Sequence, residues 1–254
     1  MDGFELVVLL STLVIALLSG ILAAFMTYKW KNNRTAKSFA FWAIGLWAFT
    51  AAVLLESVFS LNIYSEALID LYLFLVVFLV EALAMGSLYL LKNNTLKAGY
   101  IIYILVIDFA MVLALQFSNT SNLIITYVVY GVLPLAVVVV SSLGTFPAAF
   151  ILIVVAALSY KRTKNAKMLS IIAGTLVVSI AGSLYIAAFP EFLYYSEFIG
   201  ILLLWFGFLG FGLGKKAEKV TRHSKKGKAA KIASKTHTSK RKGHRRKRRS
   251  KRNR

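Results

Sequence analysis

Long apolar stretches, separated by short polar punctuation, run through most of this chain. A helix needs about 20 apolar residues to cross a hydrocarbon core. Six such stretches can be read directly, at residues 4–28, 39–61, 71–91, 98–117, 168–189 and 198–214, and a seventh ends at Tyr160. They predict an all-α polytopic membrane protein of about seven spans.

The stretch 123–160 does not divide cleanly. As one helix it would measure roughly 57 Å at about 1.5 Å per residue, close to twice the hydrocarbon thickness. The reading adopted is one span over roughly 143–160, with Pro147 near its first turn, where a missing N–H is harmless. The preceding 124–140 is dense in β-branched residues and interrupted by Gly131 and Pro134. It reads as an external β-hairpin or a re-entrant segment packed on protein, because bare strand edges cannot face lipid. An eight-span alternative, with two crossings in 123–160, stays open.

Charge orients these spans. Up to residue 214 the Lys and Arg fall into three clusters, Lys29/Lys31/Arg34/Lys37, Lys92/Lys97 and Lys161/Arg162/Lys164/Lys167. They follow the first, third and fifth spans. The alternate loops hold Glu66, Asp70, Glu191 and Glu197 and no basic residue. By the positive-inside rule the N-terminus lies outside and the C-terminal tail in the cytoplasm, as expected of a multi-pass cell-membrane protein. The first span is too long for a signal-peptide core and lacks a basic leader, so it reads as a retained span.

Composition supports lipid as the main solvent: 59% of the 254 residues are hydrophobic and the mean hydropathy is +0.73. With no Cys, disulfides, zinc–thiolate sites and cysteine nucleophiles are excluded. All three His (His223, His237, His244) lie in the tail. No P-loop, dinucleotide fingerprint or metalloprotease motif appears, so neither an enzyme nor a cofactor is expected. Small residues at Ala16, Gly20 and Ala24, at Thr175, Ser179 and Ser183, and at Gly210 and Gly214 recur every four positions. Such stripes suit close helix packing within one bundle or, alternatively, a homo-oligomer face. Tyr28, Trp30 and Tyr160 sit beside basic loops, as interfacial anchors should.

Three acids lie inside the spans. Glu56 should sit near the outer surface as an interfacial acid in contact with water. Glu81 lies eleven residues before Lys92 and Asp108 eleven after Lys97, on neighbouring antiparallel spans. Both therefore reach the same depth, about 16 Å from the basic loops by helical rise, near the midplane. No basic residue of the chain sits at that depth, so each acid must be protonated, hydrogen-bonded or bound to a cation. Thr50 and Ser179 are at comparable depth and could donate. Glu81, Asp108, Thr50 and Ser179 are thus a candidate proton or cation site, as in a small transporter or channel. The alternative role is a neutral pair that holds helices together.

The net charge of +20 comes from the end of the chain. Residues 1–214 form the membrane domain, and residues 215–254 carry twenty of the thirty Lys and Arg with one acid, Glu218. This tail has no aromatic residue and cannot build a core, so it is expected to be disordered. Its densest part holds Lys240, Arg241, Lys242, Arg245, Arg246, Lys247, Arg248, Arg249, Lys251, Arg252 and Arg254. Nucleic acid, the ribosome or anionic lipid are the expected partners, through non-specific electrostatics. The leading function from sequence is a non-enzymatic anchor or sensor whose tail engages such a partner.

Residues 29–91 carry a basic loop, then Trp42, Trp47 and Ala48 with Glu56 further on, then a short outer loop. This arrangement resembles part of the seven-helix membrane sensor region of some histidine kinases. The resemblance implies a signal-sensing bundle; no kinase domain follows, so phosphotransfer is not implied. The last span has Trp205 but no Lys, which excludes a retinal Schiff base.

Overall fold

The computed structural model describes residues 3–120, 123–125, 128–129, 133–164, 195–208 and positions 169, 170, 173, 174 and 177. Five helices in it are long and apolar enough to cross a membrane. They are α1 (Gly3–Asn32), α2 (Lys37–Ser60), α3 (Glu66–Leu88), α4 (Asn94–Gln116) and α5 (Leu135–Thr163). A shorter apolar helix spans Tyr195–Phe208. Between α4 and α5, β1 (Ile124–Ile125) pairs antiparallel with β2 (Val128–Val129). The chain is an all-α membrane protein in its described body.

Local signals set the ends of these helices. Ser65 and Asn93 accept hydrogen bonds from the backbone N–H groups of Leu68 and Leu96, capping α3 and α4. Lys164 closes α5 in the left-handed conformation, with its N–H 2.7 Å from Tyr160 O. Helices α1, α2 and α3 run antiparallel in turn, and α3 finishes where α2 and α4 begin. At this basic end Lys37 and Lys97 approach the ring of Tyr89 from different helices, 5.9 and 5.2 Å from its centroid.

The sequence reading of 124–140 needs correction. Among the described residues the paired backbone is Ile124–Ile125 with Val128–Val129, and Leu135–Val140 is helical. Pro134 sits just before α5, and its carbonyl accepts from Val138 N at 3.0 Å. β-Branched residues lower helix propensity only modestly, whereas an unpaired backbone in lipid costs several kcal/mol per group. Helix therefore wins over Val137–Val140. Pro147 consequently lies inside α5 instead of in its first turn.

Helices α1 and α2 join through three polar rungs at successive depths. Ser57 donates to Thr12 (2.9 Å), Thr50 approaches Ser19 (2.9 Å), and the indole N–H of Trp47 donates to Thr27 (3.2 Å). Thr12, Ser19 and Thr27 pass their own hydrogens to backbone carbonyls one turn back, so each hydroxyl oxygen serves as the acceptor of its rung. The buried face of α1 thus runs Thr12, Ala16, Ser19, Ala23, Met26. The small-residue stripe read from sequence shares only part of it, since Ala24 is exposed. Thr175, Ser179, Ser183, Gly210 and Gly214 lie outside the described residues.

Glycine sets the closeness of the other pairs. A Cβ at Gly45 would lie 2.9 Å from Leu79 O, and one at Gly86 would enter the ring of Trp42. Trp42 in turn donates to Ser87 Oγ (3.2 Å), tying α2 to α3. Further from the basic end, Ala52, Ile69, Leu73, Val77, Met111, Leu115 and Val137 form a continuous apolar core.

Candidate functional site

Helix α4 is apolar on nearly every side, yet its few polar residues share one face. Tyr100, Tyr103 and Asp108 follow the helical period with Ile107 and Met111, and this face meets α3 and α5. The lipid-type face of the same helix carries Ile102, Leu105, Val106 and Phe109, each more than half exposed. Asp108 is half-buried at the edge of the packed face.

Glu81 enters from α3 and is completely buried, at 0% exposure. Asp108 is its charge neighbour and lies within hydrogen-bonding reach. Both Glu81 oxygens, Asp108 Oδ1 and the Tyr100 hydroxyl are buried with no other hydrogen-bond partner. Two carboxyl groups can bond to one another only when one of them carries the proton. No basic side chain faces the pair among the described residues. A doubly ionised pair would put two like charges together in a low-dielectric site, so one shared proton is the arrangement that satisfies both.

Helix α5 closes the site from its third side. A Cβ at Gly144 would lie 2.5 Å from Val77 Cγ1, 2.9 Å from Glu81 Oε1 and 3.2 Å from Ile107 Cγ2. Only glycine lets α5 come this close. One residue earlier, Leu143 O accepts a 2.6 Å hydrogen bond from the Tyr103 hydroxyl. That carbonyl would ordinarily accept from the N–H four residues on, but position 147 is proline. Tyr103 replaces the missing donor and fixes α4 against the proline-interrupted turn of α5. The rings of Tyr100 and Tyr103 stack at 6.1 Å between centroids.

The surroundings are polar on one side only. Toward the basic end the pair is followed along α4 by Tyr103, Tyr100 and then Lys97. In the opposite direction it meets Val77, Met111 and Leu73, all buried and apolar. No third His, Cys, Asp or Glu joins the pair among the described residues. Two carboxyls and a phenol offer a proton a complete site, but supply too few oxygens for a cation such as calcium.

The four residues singled out from sequence are not brought together as a set. Glu81 and Asp108 meet. Thr50 does not join them: its hydroxyl lies 2.8 Å from Leu46 O and 2.9 Å from Ser19 Oγ, at the α1/α2 contact. A threonine in a helix has its own turn's carbonyl within reach, and the single Thr50 hydrogen is divided between Leu46 O and Ser19 Oγ. Ser179 and the basic residues Lys240 to Arg254 lie outside the described residues. Tyr100, Tyr103 and Gly144 were missed, although the spacing of Tyr100, Tyr103 and Asp108 carried a usable signal.

No family model, curated protein or solved structure matches this chain. The chemistry of the side chains therefore carries the functional reading by itself.

Glu56 is also corrected. It was expected to be an interfacial acid in contact with water, yet it is 5% exposed and accepts a 2.7 Å hydrogen bond from the Tyr72 hydroxyl. Glu197, a residue assigned from sequence to a loop, opens the helix Tyr195–Phe208 and is likewise buried.

Proposed function

We propose that this chain is a non-enzymatic, multi-pass cell-membrane protein whose bundle takes up and releases a proton at Glu81–Asp108, as a small proton-coupled transporter does. The observation that carries the reading is the complete burial of Glu81, with both oxygens lacking any partner except a second acid. An ionisable residue inside a membrane bundle is costly and marks a proton or ion route by default. Tyr100 and Tyr103 give that route a polar side facing the basic end, and the apolar core blocks the other. In this reading the chain crosses seven times, with the sixth and seventh spans at 168–189 and 198–214, the N-terminus outside and the tail in the cytoplasm.

A hydrophobic carbodiimide tests the site. It adds to a protonated carboxyl to give an O-acylisourea, which rearranges to a stable N-acylurea readable by mass spectrometry. With the full chain in lipid, labelling is expected on Asp108, the partly exposed member, and should decline as pH is raised. Absence of label at acidic pH, or labelling indifferent to pH, would remove the reading.

A second reading rests on the twenty Lys and Arg of residues 215–254. Orientation alone is served by two to four charges in each other loop. The excess suits a membrane anchor or sensor, in line with the histidine-kinase sensor resemblance, whose tail holds nucleic acid, the ribosome or anionic lipid. Capture of RNA by the full chain should weaken steeply with added salt, through counterion release. Capture unchanged by salt would contradict an electrostatic tail.

A further inference from the structure

Helix α5 is locally weak at the level of the carboxyl pair. Pro147 offers no N–H to Leu143 O, and its ring crowds that same carbonyl. Ser141 donates to Val138 O (3.1 Å) and Thr145 to Ser141 O (2.8 Å). Such side-chain bonds to the previous turn slightly destabilise a helix and bend it. Gly144 adds the poorest helix former after proline. The flanks, in contrast, are anchored: Val137 is buried before this stretch, and Ala148, Leu152 and Val155 are buried after it. Residues 141–147 therefore form a soft turn between two packed segments.

We infer that this turn moves to cover and uncover Glu81, and that Tyr103 is the positioning residue that holds it closed. Its use in proton exchange rests on the Glu81–Asp108 reading; the latch itself rests on the α4/α5 contact alone. Gly144 lies against Glu81 Oε1, close enough that a Cβ there would stand 2.9 Å away. The turn thus covers the acid directly, and displacing it opens that oxygen. Tyr103 holds the turn by its 2.6 Å bond to Leu143 O, next to Gly144. An N–H at position 147 would have satisfied this carbonyl from within α5. Here the donor comes from α4, the helix that carries Asp108, so the closure of α5 depends on where α4 sits.

The strength of the latch suits a moving part. One hydrogen bond shifts a folded-state equilibrium by about 2–10-fold, net of solvent. That is enough to favour the closed turn and too little to lock it. Stacking of Tyr100 on Tyr103, at 6.1 Å between centroids, keeps the phenol on the face that meets α5.

Amide hydrogen exchange of the full chain in lipid bilayers tests it, read over 138–149 by mass spectrometry. Tyr103→Phe should speed exchange there by about 2–10-fold, the worth of the lost bond. Pro147→Ala, which gives Leu143 O an N–H from within α5, should slow it below wild type. In the Tyr103→Phe/Pro147→Ala double variant the effect of Tyr103→Phe should vanish. A loss of packing elsewhere would survive the alanine; a latch at Leu143 O would not. Carbodiimide labelling at acidic pH reads the cover: Glu81 should stay unlabelled in the wild type and become labelled in Tyr103→Phe. Exchange unchanged by Tyr103→Phe, or a speeding that persists with Pro147→Ala, would overturn the latch. Glu81 staying unlabelled in Tyr103→Phe while Asp108 reacts would overturn the turn's role as its cover. Failure of the Glu81–Asp108 reading looks different: neither acid then labels in any variant, while the exchange response is retained.

Discussion

Glu81→Gln is expected to abolish proton movement while leaving the bundle about as stable as before. The amide fills the same volume beside Gly144 and can donate to Asp108, so the helix contact survives. Isosteric changes of this kind cost within about 0.5–1 kcal/mol when hydrogen bonding is retained. What the amide cannot do is release a proton at accessible pH. Glu81→Leu makes the complementary case, because it leaves Asp108 half-buried without its partner and should cost about 1–3 kcal/mol. A purely structural pair predicts that the glutamine variant behaves as wild type in every assay. Parallel unfolding and proton-flux measurements on the two variants separate the roles.

Gly144→Ala is expected to produce the largest loss of stability of any single methyl addition near the site. The new carbon would press on Val77, Glu81 and Ile107 at once, from 2.5 to 3.2 Å. None of these can retreat easily: Val77 and Ile107 belong to buried surfaces and Glu81 is completely enclosed. Overpacking of this kind costs typically about 1–3 kcal/mol. Proton uptake should fall with it, since α5 must move away from the carboxyl pair. Gly99→Ala provides the control, because a Cβ there meets nothing within 4 Å. In an exposed helix that change should stabilise by about 0.5–1 kcal/mol. Unfolding of both variants in mixed micelles measures the contrast.

Polar residues were the legible part of this chain, because lipid makes each of them expensive. Matching distances from Lys92 and Lys97 put Glu81 and Asp108 at one depth, and the structure brings them together. The helix faces were less readable. Spans that are apolar all round give no amphipathic signal, so Ala16, Gly20 and Ala24 suggested a stripe that the contact with α2 only partly follows. Glu56 was misjudged for a related reason: its place near the end of α2 was legible, but nothing in sequence announces that Tyr72 of α3 donates to it in a buried contact. The start of α5 was displaced because Val137–Val140 were weighed by β-propensity, where the demand for internal backbone hydrogen bonds in lipid decides. Tyr103 and Pro147 could not be connected in advance, since the bond to Leu143 O joins positions forty residues apart.

Proton flux into sealed vesicles tests the central claim most directly. The full chain is reconstituted with a trapped pH-sensitive dye, and a membrane potential is imposed with potassium and valinomycin. Vesicles carrying the wild type should change internal pH faster than empty vesicles, and those carrying Glu81→Gln should match the empty ones. Wild-type vesicles indistinguishable from empty ones, or a glutamine variant as active as the wild type, would contradict proton passage through Glu81 and Asp108.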